Sequence, residues 1–525
     1  MRESMCKFFF VAIGLFSVLS AASPAFGCKL FAATGTVIAE SIAILAKDRD
    51  LYGGSTRRQR IWYSPRATHE EGESIEFRHV TIDQCSLTYK FLATNSYVKD
   101  QTAGYGINEY GLAVISHDMD SWDDDNLGTE YFHDQDYVAL VLARCRSGSE
   151  AVDLFQELVL PNGINAETYF IADPETLWLL ETTGFNYVAK PISHDVISSQ
   201  GKQFTIRTEW NDAGNRYNPD ILTKAHAHGC DTTAFDFAQC FGNRPPGSCD
   251  PDLLALKDRG DITVEDMRAL VSDKAVVDGT VSACVIPVRP DKDAAYFSFM
   301  WDSRAKPKYG NVFLPYWIAI TDLALPEHYT SWPSDDPDCA WNKFSEIAEN
   351  STLREIARPI WQTWQAELYA EFDTVEAVMQ TYVDSNDISG LQEYIDEYVY
   401  GQLDSAYSRA KDIINRVGVP EKIQELTISL TGQDLTLMWT AVTVDTLGKP
   451  LVVDFYRVYR DTDAFFQPSL SPFDSTAGLS YVDTSGVVGD CEVHYHYAVK
   501  AVCGGRESGI SKKVGEFDRT LRRCK

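Results

Sequence analysis

The fold is decided by residues 28–50, whose sequence is CKLFAATGTVIAESIAILAKDRD. From Lys29 to Ala46, short apolar runs alternate with turn residues, which predicts two strands that bring the chain back beside its own start. This return delivers Lys47-Asp48-Arg49-Asp50 next to Cys28. A solvated charged turn is the alternative interpretation of these four residues.

Cys28 is the candidate nucleophile of this segment. Amide hydrolysis by a thiol needs a nucleophile, a proton acceptor and donors for the tetrahedral oxyanion. If Cys28 is the first residue of the mature chain, its α-amine, with a pKa of about 8, can accept the proton of its thiol, with a pKa of about 8.5. A nearby carboxylate would orient the amine, and a nearby cation would favour the thiolate. The alternative role of Cys28 is a disulfide.

Residues 1–27 have the pattern of a secretory signal peptide. Arg2 and Lys7 precede an apolar run from Phe8 to Leu19, and small residues end the segment at Gly27. We therefore expect a periplasmic or secreted protein without stable membrane insertion after cleavage. A membrane anchor is disfavoured because a run of about 12 apolar residues is short for a bilayer. A lipoprotein signal ending at Gly27-Cys28 is the second alternative.

The net charge and the cysteine content limit the partners and the covalent links that we expect. A formal charge of -29 and a pI near 4.7 disfavour nucleic-acid and anionic-membrane partners. The chain has 12 cysteines, and the remainder after Cys6 and Cys28 is even, as disulfide pairing requires. Cys230, Cys240 and Cys249 predict a stapled loop. A zinc site there is the alternative, although the chain has no C-x-x-C pair.

Local patterns predict mixed helix and sheet in the first half of the chain. Asp136–Leu158 has the apolar recurrence of two helices that break near Ser147-Gly148. Thr168–Ile171 and Leu177–Glu181 predict a hairpin. Asn108-Glu109-Tyr110-Gly111 is typical of a tight turn between two strands.

The pattern changes twice in the second half. Residues 339–417 have apolar residues at helical spacing. After Gly418-Val419-Pro420, short alternating segments predict a β-sandwich over residues 421–525. This segment resembles a fibronectin type III module through Leu437–Trp439, Tyr456–Arg460 and Tyr497–Val499. Such a module could contact a surface or polymer, pack on the preceding domain, or act as a spacer.

Several short motifs follow one another between Cys28 and Phe372 in a family-like order. They are Cys28 with residues 46–50, GINEYGLA at 106–113, AVDL at 151–154, IADP at 171–174, WLLE at 178–181, VAK at 188–190, FLPY at 313–316, ITD at 320–322 and Ala340-Trp341. In order and spacing they resemble the dipeptidases of peptidase family C69, in the N-terminal nucleophile hydrolase superfamily that also includes the secernins.

The resemblance implies an α+β class with a four-layer αββα fold over residues 28–420, including the helical region 339–417. It implies cleavage of short peptides without a metal or cofactor. Cys28 matches the nucleophile of the family, and Asp50 matches the acidic residue that contacts the amine of the nucleophile. Lys47 stands where relatives usually have arginine, and Lys47 or Arg49 would support negative charge.

Besides Lys47, two other positions depart from the family. Ile115-Ser116-His117 stands where relatives often have Gly-Asn-Glu, so the Ser116 hydroxyl or a backbone N–H would serve as an oxyanion donor. A second asparagine is replaced near residues 201–206, which leaves Lys202 or Gln203 as the candidate. Two other functions therefore stay open: an N-acyl amide hydrolase with the same machinery, and a catalytically silent binding protein.

Overall fold

A computed structural model describes residues 28–38, 43–50, 59–95, 102–119, 121, 127–192, 196–200, 214–242, 249–275, 280–305, 307, 312–332, 336–431, 434–467, 472–485 and 494–515. The predicted signal segment 1–27, Lys202 and Gln203 lie outside these ranges. Within the described ranges, none of the helices combines the length and the apolar character needed to cross a bilayer.

Strands dominate the first half of the chain, three helices follow, and strands return at the C-terminal end. The strands are β1 Lys29–Thr34, β2 Ala43–Asp50, β3 Arg60–Ser64, β4 Ala67–Thr68, β5 Ser74–Glu76, β6 Thr81–Asp83, β7 Leu87–Thr88, β8 Phe91–Asn95, β9 Tyr105–Asn108, β10 Ala113–Asp118, β11 Ile164–Ala172, β12 Leu177–Gly184, β13 Asn186–Ile192, β14 Val196–Gln200, β15 Arg216–Tyr217, β16 Thr280–Val288, β17 Phe299–Arg304, β18 Leu314–Trp317, β19 Leu426–Thr431, β20 Asp434–Trp439, β21 Phe455–Asp461, β22 Asp474–Thr476, β23 Ser480–Asp483, β24 His496–Cys503, β25 Arg506–Glu507 and β26 Val514–Gly515.

The helices lie mainly between and after the strands of the first half. They are α1 Asp134–Arg144, α2 Gly148–Leu154, α3 Ile221–Ala227, α4 Phe237–Phe241, α5 Pro251–Arg259, α6 Val264–Lys274, α7 Ala294–Phe297, α8 Glu327–Thr330, α9 Ala340–Glu349, α10 Ser351–Asp384 and α11 Ile388–Asn415.

Two sheets form the centre of the first part. The first has six strands in the order β14-β1-β2-β16-β17-β18, and the second has eight in the order β15-β13-β12-β11-β10-β9-β8-β3. The predicted strand pair is confirmed, because β1 and β2 run antiparallel with Lys29 opposite Asp48. β2 continues through residues 47–50, so the solvated charged turn is wrong: Lys47, Asp48 and Arg49 are buried.

The first part is layered as helix, sheet, sheet and helix. α6 packs on β1, β2 and β16 of the first sheet, whereas α1 packs on β9, β10 and β11 of the second. β2 and β10 are in contact across the space between the two sheets. This is the layer order that the family resemblance implies.

Side-chain alternation in the second sheet separates two cores. In β12, Leu177 and Leu179 belong to the core shared with the first sheet, while Trp178 and Leu180 belong to the core under α1 and α2. In β10, Ala113 and Ile115 face the first sheet, and Val114 faces the helices. A strand buried on both faces has side chains available for chemistry on either side.

The local predictions in this region are confirmed. α1 and α2 are two helices, and α2 begins after Ser147, whose hydroxyl accepts a hydrogen bond from the backbone N–H of Glu150 at 3.2 Å. β11 and β12 form the predicted hairpin. In the turn between β9 and β10, Asn108 Oδ1 accepts from the backbone N–H groups of Tyr110 and Leu112, and Gly111 has a φ of 76°.

The predicted helical region and the C-terminal strands belong to different apolar cores. The helices share the core of the first sheet, and the C-terminal strands have a core of their own. α9, α10 and α11 account for the predicted helical region, and α11 ends at Asn415. Pro420 already pairs with Asp445 of the region of β strands. The two sheets of that region, β19-β20-β23 and the sheet containing β21 and β24, enclose a core that includes Leu437, Val458 and Val499.

Arg506 links the C-terminal strands to the helices. Its guanidinium donates hydrogen bonds to the backbone oxygens of Ile414, at 3.1 Å, and Val417, and forms an ion pair with Glu346 at 3.0 Å. The last carbonyls of a helix lack partners within the helix and carry partial negative charge, so a cation stabilises them. Arg506 therefore fixes the C-terminal strands to the end of α11.

One disulfide joins Cys230 to Cys240, within the predicted stapled loop. Cys249 is a free thiol, and its Sγ accepts a hydrogen bond from Ser198 Oγ at 3.6 Å. Cys503 is also free in the described part of the chain.

Candidate active site

Cys28 lies at the start of β1, with 9% of its surface exposed. Its Sγ contacts the backbone of Asp50: the amide N–H of Asp50 donates to the sulfur at 3.3 Å, and the carbonyl oxygen of Asp50 lies at 3.5 Å. A backbone N–H directed at sulfur stabilises the thiolate form. The return of β2 beside β1 therefore provides Cys28 with an anion-stabilising donor.

Side chains along β1 and β2 point alternately to the helix side and to the space between the two sheets, and this determines which charged groups lie near Cys28. Lys29 Nζ reaches the carbonyl oxygen of Lys274 at the end of α6, on the helix side, and pairs with Asp48 at 3.4 Å. Neighbouring residues of a strand point to opposite faces, so Cys28 and Lys47 point toward the second sheet. The four charges of residues 47–50 are thus divided between two faces.

Lys47 and Arg49 are buried cations on the side of the second sheet. Lys47 Nζ donates to the carbonyl oxygens of Gly104, at 3.2 Å, and Ser116. Arg49 Nη1 donates to Thr94 Oγ1 at 3.2 Å. These contacts hold both side chains in place without neutralising them, so they retain positive potential for an anionic species.

Burial raises the pKa of the Cys28 thiol to about 12. The positive charge of Lys47 acts in the opposite direction, while Asp50, Asp118 and Asp48 raise the pKa further. The thiol therefore keeps its proton at neutral pH unless a base accepts it. Lys47 is the largest influence that favours the thiolate.

The Asp50 carboxylate is anchored from a distant part of the sequence. Thr280 Oγ1, at the start of β16, donates to Asp50 Oδ1 at 2.6 Å. β16 reaches this position because it pairs with the other edge of β2. Sequence reasoning did not find Thr280, since the pairing of strands more than 200 residues apart leaves no local signal.

Ser116 points away from the space between the sheets. Its carbonyl oxygen accepts from Lys47, but its hydroxyl lies on the helix face of β10, close enough to Glu167 to affect the pKa of that carboxyl. The structure does not bring the Ser116 hydroxyl to Cys28. Lys202, the other predicted oxyanion donor, lies outside the described residues.

His117 occupies the face that Ser116 does not. Its Nε2 is hydrogen-bonded to Ser199 Oγ of β14, and its Nδ1 lies 2.8 Å from the carbonyl oxygen of Asp118. His117 therefore connects the second sheet to the strand that pairs with β1. Sequence reasoning missed this residue, although the alternation of Ile115, Ser116 and His117 along β10 could have indicated it.

Three carboxylates meet on the helix face of the second sheet. The carboxylate oxygens of Asp118, Asp134 and Glu167 lie within 4.8 Å of one another, and these residues could hold a metal ion. Burial and the charges of Asp134 and Asp118 raise the pKa of Glu167 well above its usual range. Burial alone would raise the pKa of Asp134, but its ion pair with His133 lowers it.

Part of this chain matches the model of a known protein family. The model of peptidase family C69 matches residues 42–248. The matched range includes Lys47, Arg49, Asp50 and Ser116, and it begins after Cys28.

Solved structures resemble parts of the chain. Penicillin V acylase from Agrobacterium tumefaciens is 14% identical, with a TM-score of 0.35 over 55% of this chain and 85% of the acylase chain. A mutant form of conjugated bile acid hydrolase from Clostridium perfringens is 12% identical, with a TM-score of 0.34 over 55% of this chain and 92% of the hydrolase chain. An Fn3-like protein from Clostridium thermocellum is 23% identical, with a TM-score of 0.15 over 19% of this chain and 92% of that protein.

These structural scores are too low to assign an activity by likeness. The family match is more specific, because it includes the buried charged strand that approaches Cys28. Residues 42–248 thus match peptidase family C69, and this match supports a hydrolase that acts on amide bonds.

Proposed function

We propose that this chain is an exported cysteine-dependent dipeptidase, in which Cys28 becomes the first residue after removal of residues 1–27. The observation that carries the proposal is the position of the Cys28 thiol against the Asp50 N–H at 3.3 Å, with Lys47 as the favourable charge. The match to peptidase family C69 supports the amide-bond class. The family resemblance supports dipeptides as the substrates.

In the proposed mechanism, the free α-amine of Cys28 accepts the proton of the thiol, directly or through a water. An α-ammonium group on the same residue adds a positive charge close to the sulfur, which favours the thiolate that burial disfavours. Sγ then attacks the carbonyl carbon of the scissile bond and forms a tetrahedral oxyanion. Asp50 orients the amine, and Lys47 and Arg49 supply positive potential for the negative charge.

The second half of the reaction returns the enzyme to its starting state. The α-ammonium group gives its proton to the leaving amine as the carbon–nitrogen bond breaks, and a thioester on Cys28 remains. Water attacks the thioester, the α-amine accepts a proton from that water, and the thiol is restored as the acyl group leaves. The Ser116 hydroxyl has no part in this scheme, and Lys202 stays a prediction.

N-terminal sequencing and intact mass of the exported protein test whether Cys28 has the free α-amine that the mechanism requires. We expect a chain that starts at Cys28 with an unmodified amine, and release of amino acids from a library of dipeptides. If the chain starts elsewhere, or if Cys28 is lipidated, the free α-amine that acts as the base is absent, and the mechanism is contradicted. Faster turnover of N-acylated amides than of all dipeptides would retain the nucleophile but replace the substrate class.

Gly104 offers a test of the Arg49 position. A Cβ at Gly104 would lie 1.5 Å from Arg49 Nη1 and 2.2 Å from Arg49 Cζ, and Arg49 is only 2% exposed. Gly104→Ala should therefore displace the guanidinium and lower kcat/KM by about tenfold or more. Gly401→Ala in α11 is the matched control, because nothing lies within 4 Å of its Cβ position. Equal kcat/KM for both variants would show that the position of Arg49 is unimportant.

A further inference from the structure

A group of acidic side chains lies behind the site described above, on the helix face of the second sheet. Asp118 ends β10, Glu167 lies directly opposite it on β11, and Asp134 begins α1. Like charges directly opposite each other on neighbouring strands destabilise a sheet. Glu167 is 1% exposed and Asp134 is 5% exposed, whereas Asp118 is exposed, so water reaches the cluster from the side of Asp118 only.

The nearby cations leave Glu167 without an ion pair. Lys47 Nζ donates to two backbone oxygens, Arg49 donates to Thr94, and His133 pairs with Asp134. In the described part of the chain, Glu167 has no ion-pair partner, and its Oε2 is buried without a hydrogen bond. A buried carboxylate is costly unless positive charge compensates it. The charge of Lys47 lowers the pKa of Glu167, but by less than Asp134 and Asp118 raise it.

The Ser116 hydroxyl is a second, independent indication of a ligand. It is 1% exposed, lies on the same face of β10 as Asp118, and is directed toward Glu167. Its Oγ approaches the Glu167 carboxyl closely enough to lower the pKa of that group, but the two do not meet in ordinary hydrogen-bond geometry. Buried hydroxyl groups almost always have a partner of good geometry, and a cation bound by Glu167 would provide one for the oxygen of Ser116.

We propose that Asp118, Asp134, Glu167 and the Ser116 hydroxyl bind a divalent cation, with Ca²⁺ preferred over Mg²⁺. The donor set is made of oxygen atoms alone, which hard cations prefer. Ca²⁺ accepts several carboxylates in a flexible geometry, whereas Mg²⁺ demands near-ideal octahedral geometry and usually keeps several waters. One carboxylate oxygen from each of the three residues lies within 4.8 Å of the others, so a single ion could contact all three, and the exposed side of Asp118 gives water access to complete its coordination.

The proposed ion would stabilise the strand that holds Lys47. Ser116 would bind the ion through its hydroxyl and accepts from Lys47 through its carbonyl oxygen, so one residue joins the two sites. Ion binding would therefore fix β10, β11 and the start of α1 relative to one another. The cation site does not depend on the proposed peptidase activity and can be tested without a substrate.

Calcium titration of the EDTA-treated full-length protein tests the site. We expect isothermal titration calorimetry to give one Ca²⁺ per chain, with Mg²⁺ binding at least about tenfold more weakly. At a Ca²⁺ concentration about 100 times the Kd, Tm should rise by about 3 °C. Absence of both the heat and the Tm shift at up to about 10 mM Ca²⁺ would overturn the proposal, since this exceeds the Kd range of protein Ca²⁺ sites.

Variants of the ligand residues distinguish binding at this site from diffuse binding of cations to an acidic surface. Glu167→Gln should weaken Ca²⁺ binding at least about tenfold, because it removes one charged ligand. Asp118→Asn gives the same test at an exposed position if Glu167→Gln fails to fold. Glu355→Gln, on the exposed face of α10, is the matched control and should bind as the unchanged protein does. Equal weakening in all three variants would mean diffuse surface binding and would overturn the proposal.

Discussion

Cys28→Ala in correctly processed protein should abolish hydrolysis of dipeptides, with kcat/KM reduced by about four orders of magnitude or more. The thiol is the only group in the proposed mechanism that can form the acyl intermediate, and alanine leaves the Asp50 N–H directed at a methyl group. The side chain is 9% exposed and small, so the fold should tolerate the change. Steady-state kinetics with a dipeptide, together with Tm, measure both effects.

Cys503→Ala is the matched control for this variant. Cys503 is also a free thiol, but it ends β24 in the C-terminal part of the chain. Its loss should leave kcat/KM unchanged. If Cys28→Ala retained activity within about tenfold of the unchanged protein, another group would be the nucleophile, because removing a nucleophile costs several orders of magnitude.

Lys47→Met should produce the second largest effect. Methionine keeps much of the length of lysine but removes the charge that favours the thiolate, so the pKa of Cys28 should rise and the reactive fraction at a given pH should fall. The backbone oxygens of Gly104 and Ser116 also lose their charged donor, at a cost of about 1–3 kcal/mol in the free energy of unfolding. We expect kcat/KM to fall about 100-fold, corresponding to about 3 kcal/mol.

The pH dependence of thiol alkylation measures the electrostatic part of the Lys47→Met effect directly. The thiolate is the reactive form, so a higher pKa shifts the alkylation profile of Cys28 toward higher pH. Lys47→Arg keeps the charge and should retain the original profile. The remote control is Lys343→Met in α9, which removes an ion pair with Asp338. An unshifted profile in Lys47→Met would refute the electrostatic role of Lys47.

The sequence predicts the strand pair β1–β2 because both strands and their turn lie within 22 residues of Cys28. The same holds for the hairpin β11–β12 and for the break between α1 and α2, which Ser147 caps locally. Short-range patterns carry this information because alternation and capping act between near neighbours. Cys28 and residues 47–50 could therefore be placed together from sequence alone.

The remaining features of the site depend on distant pairings. Thr280 meets Asp50 because β16 lies beside β2, and His117 meets Ser199 because the two sheets face each other. Neither pairing has a local signal. The prediction for Ser116 failed for a different reason. A hydroxyl suits an oxyanion donor, but the position of Ser116 in β10 directs its hydroxyl toward Glu167. A one-residue difference in strand position exchanges the two faces of a sheet.

The contact made by Arg506 limits how far the chain can be treated as separable parts. Pattern changes near Gly418 suggest a boundary at which the chain could be cut into two fragments or recombined with other domains. A truncation at that point would leave the carbonyl oxygens of Ile414 and Val417 without the guanidinium that binds them, and would leave Glu346 without its cation. The C-terminal strands can therefore be recognised as a unit from the sequence, yet they supply the cation that stabilises the end of α11. Any exchange of this segment during evolution or engineering must supply an equivalent cation at the end of α11.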